Sequence, residues 1–247
     1  MKIGIGAGSE IRTVVEALEG LTGDITVVCY ASPGTGTAFP PGTDVVESDP
    51  PEQALVADLA SGAIDAAVRG ALPASSTLSR LKKAMGVERL ERVALLETAA
   101  GTRFLLAPVG VDEGWTISDK LALIEKSRGI ARRFGLDERT AVLSGGRMGD
   151  VGRHERVDAT LAEAELVARL AGADHTEILI EDAVRDHGII IAPDGICGNL
   201  IFRTLVFLGG GVGHGAPVVN IDRIFVDTSR ASPNYANAIL LASALVK

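Results

Sequence analysis

Cysteine is nearly missing from this chain: Cys29 and Cys197 are the only two in 247 residues, far apart and each beside an apolar run. That excludes a disulfide framework and a cysteine-rich zinc site, and it points to a cytoplasmic setting. Histidine is almost as scarce. His154, His175, His187 and His214 show no metal-ligand spacing, so no metal is expected. Positive charge is in deficit, with a formal net charge of -8 and no compensating Lys/Arg stripe, which excludes a nucleic-acid surface. Lys82-Lys83 and Arg132-Arg133 read as solvated pairs on helices. Long apolar runs are absent too. The longest, near 236 to 246, is too short to span a bilayer, and Met1-Lys2-Ile3-Gly4-Ile5-Gly6 enters a strand with no signal-peptide core, so no membrane role is expected. No Walker A sequence, nucleophile elbow or paired-carboxylate pattern occurs.

Glycine, by contrast, is plentiful, with 29 residues in a chain that is 47% hydrophobic. Strand-like and helix-like segments alternate, which predicts an α/β fold with largely parallel strands. Strands are expected at 2–6, 25–30, 44–47, 64–69, 93–97, 104–109, 141–144, 178–180, 189–192, 218–220 and 224–226. Helices are expected at 10–21, 51–61, 79–85, 118–134, 156–171, 199–208 and 233–245. Residues 31–42, rich in proline, glycine and hydroxyls, should form an exposed loop.

Chemistry concentrates where apolar runs stop. Asp227-Thr228-Ser229-Arg230 follows Ile224-Phe225-Val226, and Ser232-Pro233 then caps a last helix, so hydroxyls and an arginine meet a helix N-terminus suited to a phosphate or carboxylate. Turn and capping roles explain the same residues equally well. Val68-Arg69-Gly70-Ala71 is followed by Ser75, Ser76, Thr77 and Arg80, either a phosphate-holding cluster or a cap beside a solvated arginine. Ser144-Gly145-Gly146-Arg147 is an anion clamp, a mobile lid or a plain glycine loop. Gly4-Ile5-Gly6-Ala7-Gly8 is a weak candidate for a nucleotide or S-adenosylmethionine turn, the alternative being a tight strand-to-helix turn.

Taken in order, these turns resemble the phosphate acetyl/butyryltransferase family. The likeness runs through Val68-Arg69-Gly70-Ala71 and Arg80, Pro193-Asp194-Gly195, Gly198-Asn199, Leu208-Gly209-Gly210, Gly215-Ala216-Pro217 and Asp227-Thr228-Ser229-Arg230, covering roughly residues 64 to 246. The resemblance implies two α/β domains of the isocitrate/isopropylmalate dehydrogenase-like type, 1–99 plus 223–247 and 100–222, with a ligand cleft between them. It implies Ser229 and Arg230 as catalytic residues, Ser229 at a developing oxyanion. Arg80, Ser75, Ser76, Thr77 and Thr228 would hold phosphate, and Asn199 and Gly213 would shape the pocket. A CoA-like thiol or phosphate as ligand and a homodimer packed through second-domain helices are further implications.

The family's base, an aspartate seven residues after the serine, corresponds to Ala236 in this chain. Alanine accepts no proton, so ordinary phosphotransacetylase activity is not expected. The Asp-Thr-Ser-Arg variant and short N-terminal region resemble the methanogen marker protein 4 (MtxX) group, a methyltransferase-related family of methanogenic archaea. That likeness implies another function, a methyltransferase component of methanogenesis working with a methyl-carrier protein, while Ala236 at the base position leaves a third, a non-catalytic ligand-binding or regulatory subunit.

Overall fold

The computed structural model describes residues 1–21, 25–229 and 234–247. In chain order the elements are β1 (Lys2–Gly8), α1 (Ile11–Glu19), β2 (Thr26–Ala31), β3 (Asp44–Glu47), α2 (Pro51–Ser61), β4 (Ala66–Val68), α3 (Ala74–Met85), β5 (Ala94–Glu97), β6 (Arg103–Ala107), α4 (Ile117–Phe134), β7 (Thr140–Val142), α5 (Glu155–Ala171), β8 (Asp174–His175), α6 (Ile180–Asp186), β9 (Ile189–Ile191), α7 (Gly195–Phe207), β10 (Val212–Pro217), β11 (Ile224–Asp227) and α8 (Ala236–Val246). The alternation of strand and helix is that of an α/β protein. Two compact units result, Met1–Leu90 with His214–Lys247, and Glu91–Gly213.

In the first unit the strands run β3-β2-β1-β4-β11, all parallel, with β10 antiparallel beside β11. The chain goes from β1 outward to β2 and β3, then returns to place β4 on the other side of β1. Strand order therefore reverses between β1 and β4, the position where open α/β sheets form a crevice. The core beneath it holds Tyr30, Leu55, Leu59, Leu72, Leu81 and Phe225. Each such apolar side chain contributes about 1.5–3 kcal/mol on leaving water. The Tyr30 hydroxyl donates to Asp58 at 2.6 Å, so its polar end is satisfied.

The second unit repeats the arrangement. Its strands run β5-β6-β9-β7-β8, parallel except for β5. From β7 the chain goes outward to β8 and returns to place β9 on the other side, so the reversal lies between β7 and β9. Helix α4 starts at a capping box in which Thr116 and Asp119 exchange side-chain and backbone bonds, and it stops at Gly135 in the left-handed region, φ 64°.

Several expected elements differ. Residues 178–180 form no strand, because Glu177 turns the chain in the left-handed region at φ 57° and a short helix, α6, begins at Ile180. A three-residue apolar run cannot by itself separate strand from buried helix. No strand occupies 218–220. The strand is β10, through the second half of the glycine run; just before it, a Cβ on Gly211 would stand 2.7 Å from the Glu97 carbonyl. Strand β8 had no apolar signal. Helix α3 starts at Ala74 rather than 79, and α7 starts at Gly195 rather than 199 because Asp194 caps it, accepting from the Cys197 amide at 2.8 Å. The loop over 31–42 is largely exposed, with Phe39 tucked in. The Ser232-Pro233 cap lies outside the described residues. No described helix is long and apolar enough to cross a membrane.

Candidate functional site

In the first unit, the carboxyl ends of β1, β4 and β11 stand side by side. Glycine sets their spacing: Gly70, at φ 59°, presses on the Gly6 carbonyl, and a Cβ at either position would collide with the other turn. Leu72, with no exposed surface, fills the space over Gly6 and Gly8, and the Ala71 amide donates to Gly6 O at 2.9 Å. The reversal crevice is therefore packed by side chain. A nucleotide-type turn at Gly4 to Gly8 has no room for a pyrophosphate, and the tight-turn alternative is the one the structure shows.

Beside it lies an ion pair that sequence reasoning did not anticipate. Arg69 Nε donates to Asp227 Oδ1, with both side chains almost enclosed at 5% and 11% exposure. Arg69 also donates to the Leu72 carbonyl at 2.7 Å, and Asp227 accepts from the Thr228 amide at 2.9 Å. The Thr228 hydroxyl completes the brace by donating to Gly70 O at 3.0 Å. The acid of the Asp-Thr-Ser-Arg turn is thus the counter-ion of Arg69. An arginine directly after the buried run at 66–68 was the available clue, since a guanidinium placed there needs a carboxylate.

Helix α3 follows β4 and carries the predicted hydroxyls. Ser75 is exposed and Ser76 half-buried, while Thr77 is fully buried and its hydroxyl donates back to Pro73 O at 2.7 Å. Arg80, half-buried on the next turn, reaches Gln53 Oε1 on α2 at 3.4 Å. Because β4 and β11 are neighbours, the turn ahead of α3 and the Thr228-Ser229 turn share one sheet edge. Ser229 is half-buried there, and Arg230 lies outside the described residues. Ala236 opens α8, its amide bonded to Asn234 Oδ1 at 2.6 Å.

Asn199 and Gly213 belong to the second unit. Asn199 donates to Val109 O at 3.0 Å, fastening α7 to the loop after β6. In the same helix a Cβ on Gly195 or Gly198 would run into the carbonyls of Gly110 or Pro108. A Cβ on Gly213 would touch Phe202 at 3.2 Å. These motif residues therefore serve close helix packing.

Polar side chains gather where the second unit's strand order reverses. Lys120, 3% exposed on α4, pairs with Glu163 of α5 at 2.5 Å beside a small hollow lined by Leu143, Thr160 and Pro193. Its clue was a lysine on the apolar stripe that continues through Leu123, Ile124 and Ile130. The Ser144 turn is tied down: its amide donates to Glu177 O at 2.9 Å, Gly145 N to Thr160 Oγ1 at 2.9 Å, and Met148 N to Glu177 Oε1 at 2.8 Å. His175 Nε2 lies 3.0 Å from Ser144 Oγ. The Cys197 thiol is pushed up to about 11 by burial and by its bond to Asp194, which disfavours the thiolate at neutral pH. Among the described residues, no group of three His, Cys, Asp or Glu could hold a metal ion.

Comparison with known proteins places the chain. A protein of Methanosarcina barkeri called "Putative methyltransferase mtx subunit X" is 54% identical over 82% of this chain and 76% of its own length. The chain belongs to the mtx subunit X family. A relative named as an uncharacterized methyltransferase of Methanopyrus kandleri is 38% identical over 99% of both chains. No family model matches. Among solved structures, a branched-chain phosphotransacylase from Enterococcus faecalis aligns with 100% of this chain and 99% of its own at TM-score 0.76 and 17% identity. Isocitrate dehydrogenase from Methylococcus capsulatus aligns at TM-score 0.55 and 12% identity, over 99% of this chain and 84% of its own. The fold is thus that of the phosphotransacylases and isocitrate dehydrogenases, carried by an archaeal family named for methyl transfer.

Proposed function

We propose that this mtx subunit X family member is a cytoplasmic protein that binds a small phosphorylated or CoA-like ligand on a phosphotransacylase fold without ordinary phosphotransacetylase turnover. The carrying observation is the fate of the carboxylates around the Asp-Thr-Ser-Arg turn. Asp227 is held by Arg69 in a buried pair, and position 236 is alanine. A thiol attacking an acyl phosphate needs a base within hydrogen-bond reach, and neither residue is one. Arg80, Ser229 and Arg230 are the anion-holding groups of this reading, with the α3 hydroxyls Ser75 and Ser76 as further donors.

Titration calorimetry with inorganic phosphate, acetyl phosphate and coenzyme A tests binding, and thioester formation from acetyl phosphate and coenzyme A tests turnover. We expect binding of at least one of the three, loss of it in Arg80→Gln and Arg230→Gln, and no thioester above background. Ala236→Asp should raise that rate. A robust wild-type rate overturns the reading.

Methyl transfer is the second reading, favoured by the names of the relatives. It predicts binding of S-adenosylmethionine, a methylated thiol or a methyl-carrier protein in the same calorimetric series. Ligand binding with turnover of neither kind would instead favour a non-catalytic subunit. A homodimer is part of the proposal. Its support is α7, whose Ile196 and Leu200 are 46% and 60% exposed, one helical turn apart.

A further inference from the structure

The outer edge of the second unit carries two histidines, each set between two acceptors. His187 Nδ1 faces the Ala183 carbonyl at 3.1 Å and its Nε2 faces Asp174 Oδ2 at 2.9 Å. Neither a carbonyl nor a carboxylate can donate, so both contacts are hydrogen bonds only when both ring nitrogens carry protons. His175 repeats the pattern from the neighbouring position on β8. Its Nδ1 faces Glu165 Oε2 at 3.2 Å and its Nε2 faces Ser144 Oγ at 3.0 Å. The single Ser144 hydroxyl proton has a carbonyl to go to, Gly146 O at 2.9 Å. With that bond made, Ser144 receives a proton from Nε2, and His175 too needs both nitrogens protonated.

Ser144, His175 and Glu165 stand in the order of a nucleophile, its base and the group that orients the base. The surroundings do not suit that chemistry. Ser144 is 2% exposed, and the amides of Ser144, Gly145 and Met148 are all bonded within the protein, so they offer a developing oxyanion nothing.

We propose that the β8 edge is a proton-operated clasp: His175 and His187 as imidazolium ions hold β8 and the Ser144 turn closed, and loss of a proton from either loosens them. Imidazole is the side chain that ordinarily changes charge near neutral pH. Charged groups surround both rings. On α5 Glu165 faces His175, and Arg169, bonded to Glu165 at 2.9 Å, together with His175 keeps that carboxyl below its usual range. Asp174 and Asp137 lie near His187, with Arg139 paired to Asp137 at 2.8 Å and Asp186 beside it. Glu177 is bonded to Met148. Each contact to an acceptor is lost with the ring proton that makes it, so the edge is closed while both nitrogens of each ring are protonated and opens when one is not.

Amide hydrogen exchange of the full chain, corrected for intrinsic rates and followed from about pH 5 to 8, is the test. The reporters are Ser144 N, bonded to Glu177 O, and Thr176 N, bonded to Val142 O, with Leu143 N, bonded to Ile191 O, as internal control. Protection of both reporters should fall by about tenfold or more as pH rises, while Leu143 stays unchanged. In His175→Gln/His187→Gln the dependence should vanish. Should that protein fail to fold, Glu165→Gln, altering a half-exposed side chain, should move the midpoint to lower pH. Reporter protection independent of pH, or an undiminished dependence in these variants, overturns the clasp.

Discussion

The carboxyl edges of the two units share one strand plan, β2-β1-β4 in the first and β8-β7-β9 in the second, yet they bury charge in opposite ways. In the first, Arg69 and Asp227 are both enclosed, and Leu72 and paired glycines close the crevice around them. In the second, Arg92 and Glu113 beside the loop after β6 form another pair enclosed on both sides, at 13% and 1%, but around the strand reversal three enclosed side chains face more open carboxylates. Lys120 at 4% side-chain exposure meets Glu163 at 33%, His175 at 6% meets Glu165 at 46%, and His187 at 8% meets Asp174 at 71%. A pair enclosed on both sides has nowhere to go when broken. A pair with one wet partner can separate at low cost, because the carboxylate rehydrates in place. The first edge is a brace and the second is responsive.

Breaking the brace should have the largest effect. Arg69→Met strands Asp227 without its counter-ion and should lower unfolding stability by about 3–5 kcal/mol, measured by urea denaturation. Arg69→Met/Asp227→Leu should recover most of the loss, since an apolar pair of similar size needs no partner. A single-variant loss comparable to that of a surface pair would remove the contrast between the edges.

Packing at the head of α7 comes next. Gly198→Ala pushes a methyl group into the Pro108 carbonyl, and Gly195→Ala does the same at Gly110. Neither carbonyl is the flexible end of a side chain, so each variant should cost about 1–3 kcal/mol in the same denaturation experiment. Lys120→Met should cost least of the three, about 1 kcal/mol or less, because Glu163 turns to solvent. A loss equal to that of Arg69→Met would mean that Glu163 is as trapped as Asp227.

Much of this architecture was legible as pattern. Alternation of apolar runs and amphipathic stretches located most strands and helices, with Pro51–Ser61 matched residue for residue, because buried parallel strands and capped helices announce themselves locally. What stayed hidden depends on distant partners. His175 sits on a two-residue strand without an apolar signal, and only the fold brings it to Ser144, thirty-one residues earlier. Glycine was ambiguous for a related reason. At Gly6, Gly195 and Gly198 close approach to another backbone is real, but the approaching group is protein, and local sequence does not distinguish a carbonyl neighbour from a phosphate. The Thr77 hydroxyl looked available from its spacing and is spent on its own helix.

The smallest effect sharpens the comparison by sign. The first unit also has an edge strand with a proton-linked contact: Glu47 at the end of β3 accepts from Gly34 N at 3.0 Å and Gly36 N at 2.5 Å, fixing the exposed loop. These backbone donors, Gly34 first, hold its carboxyl below the usual glutamate range. A group whose folded value is depressed lends its support above the ordinary carboxylate range and loses it as pH falls through the depressed value. Acidification below about pH 4.5 should therefore raise exchange at the Gly34 and Gly36 amides, and Glu47→Gln should remove the dependence. The histidine clasp tightens over the same descent. One acid titration followed at Gly36 and at Thr176 should thus see one edge open after the other has closed, and edges that move together would show that the pH response is global unfolding.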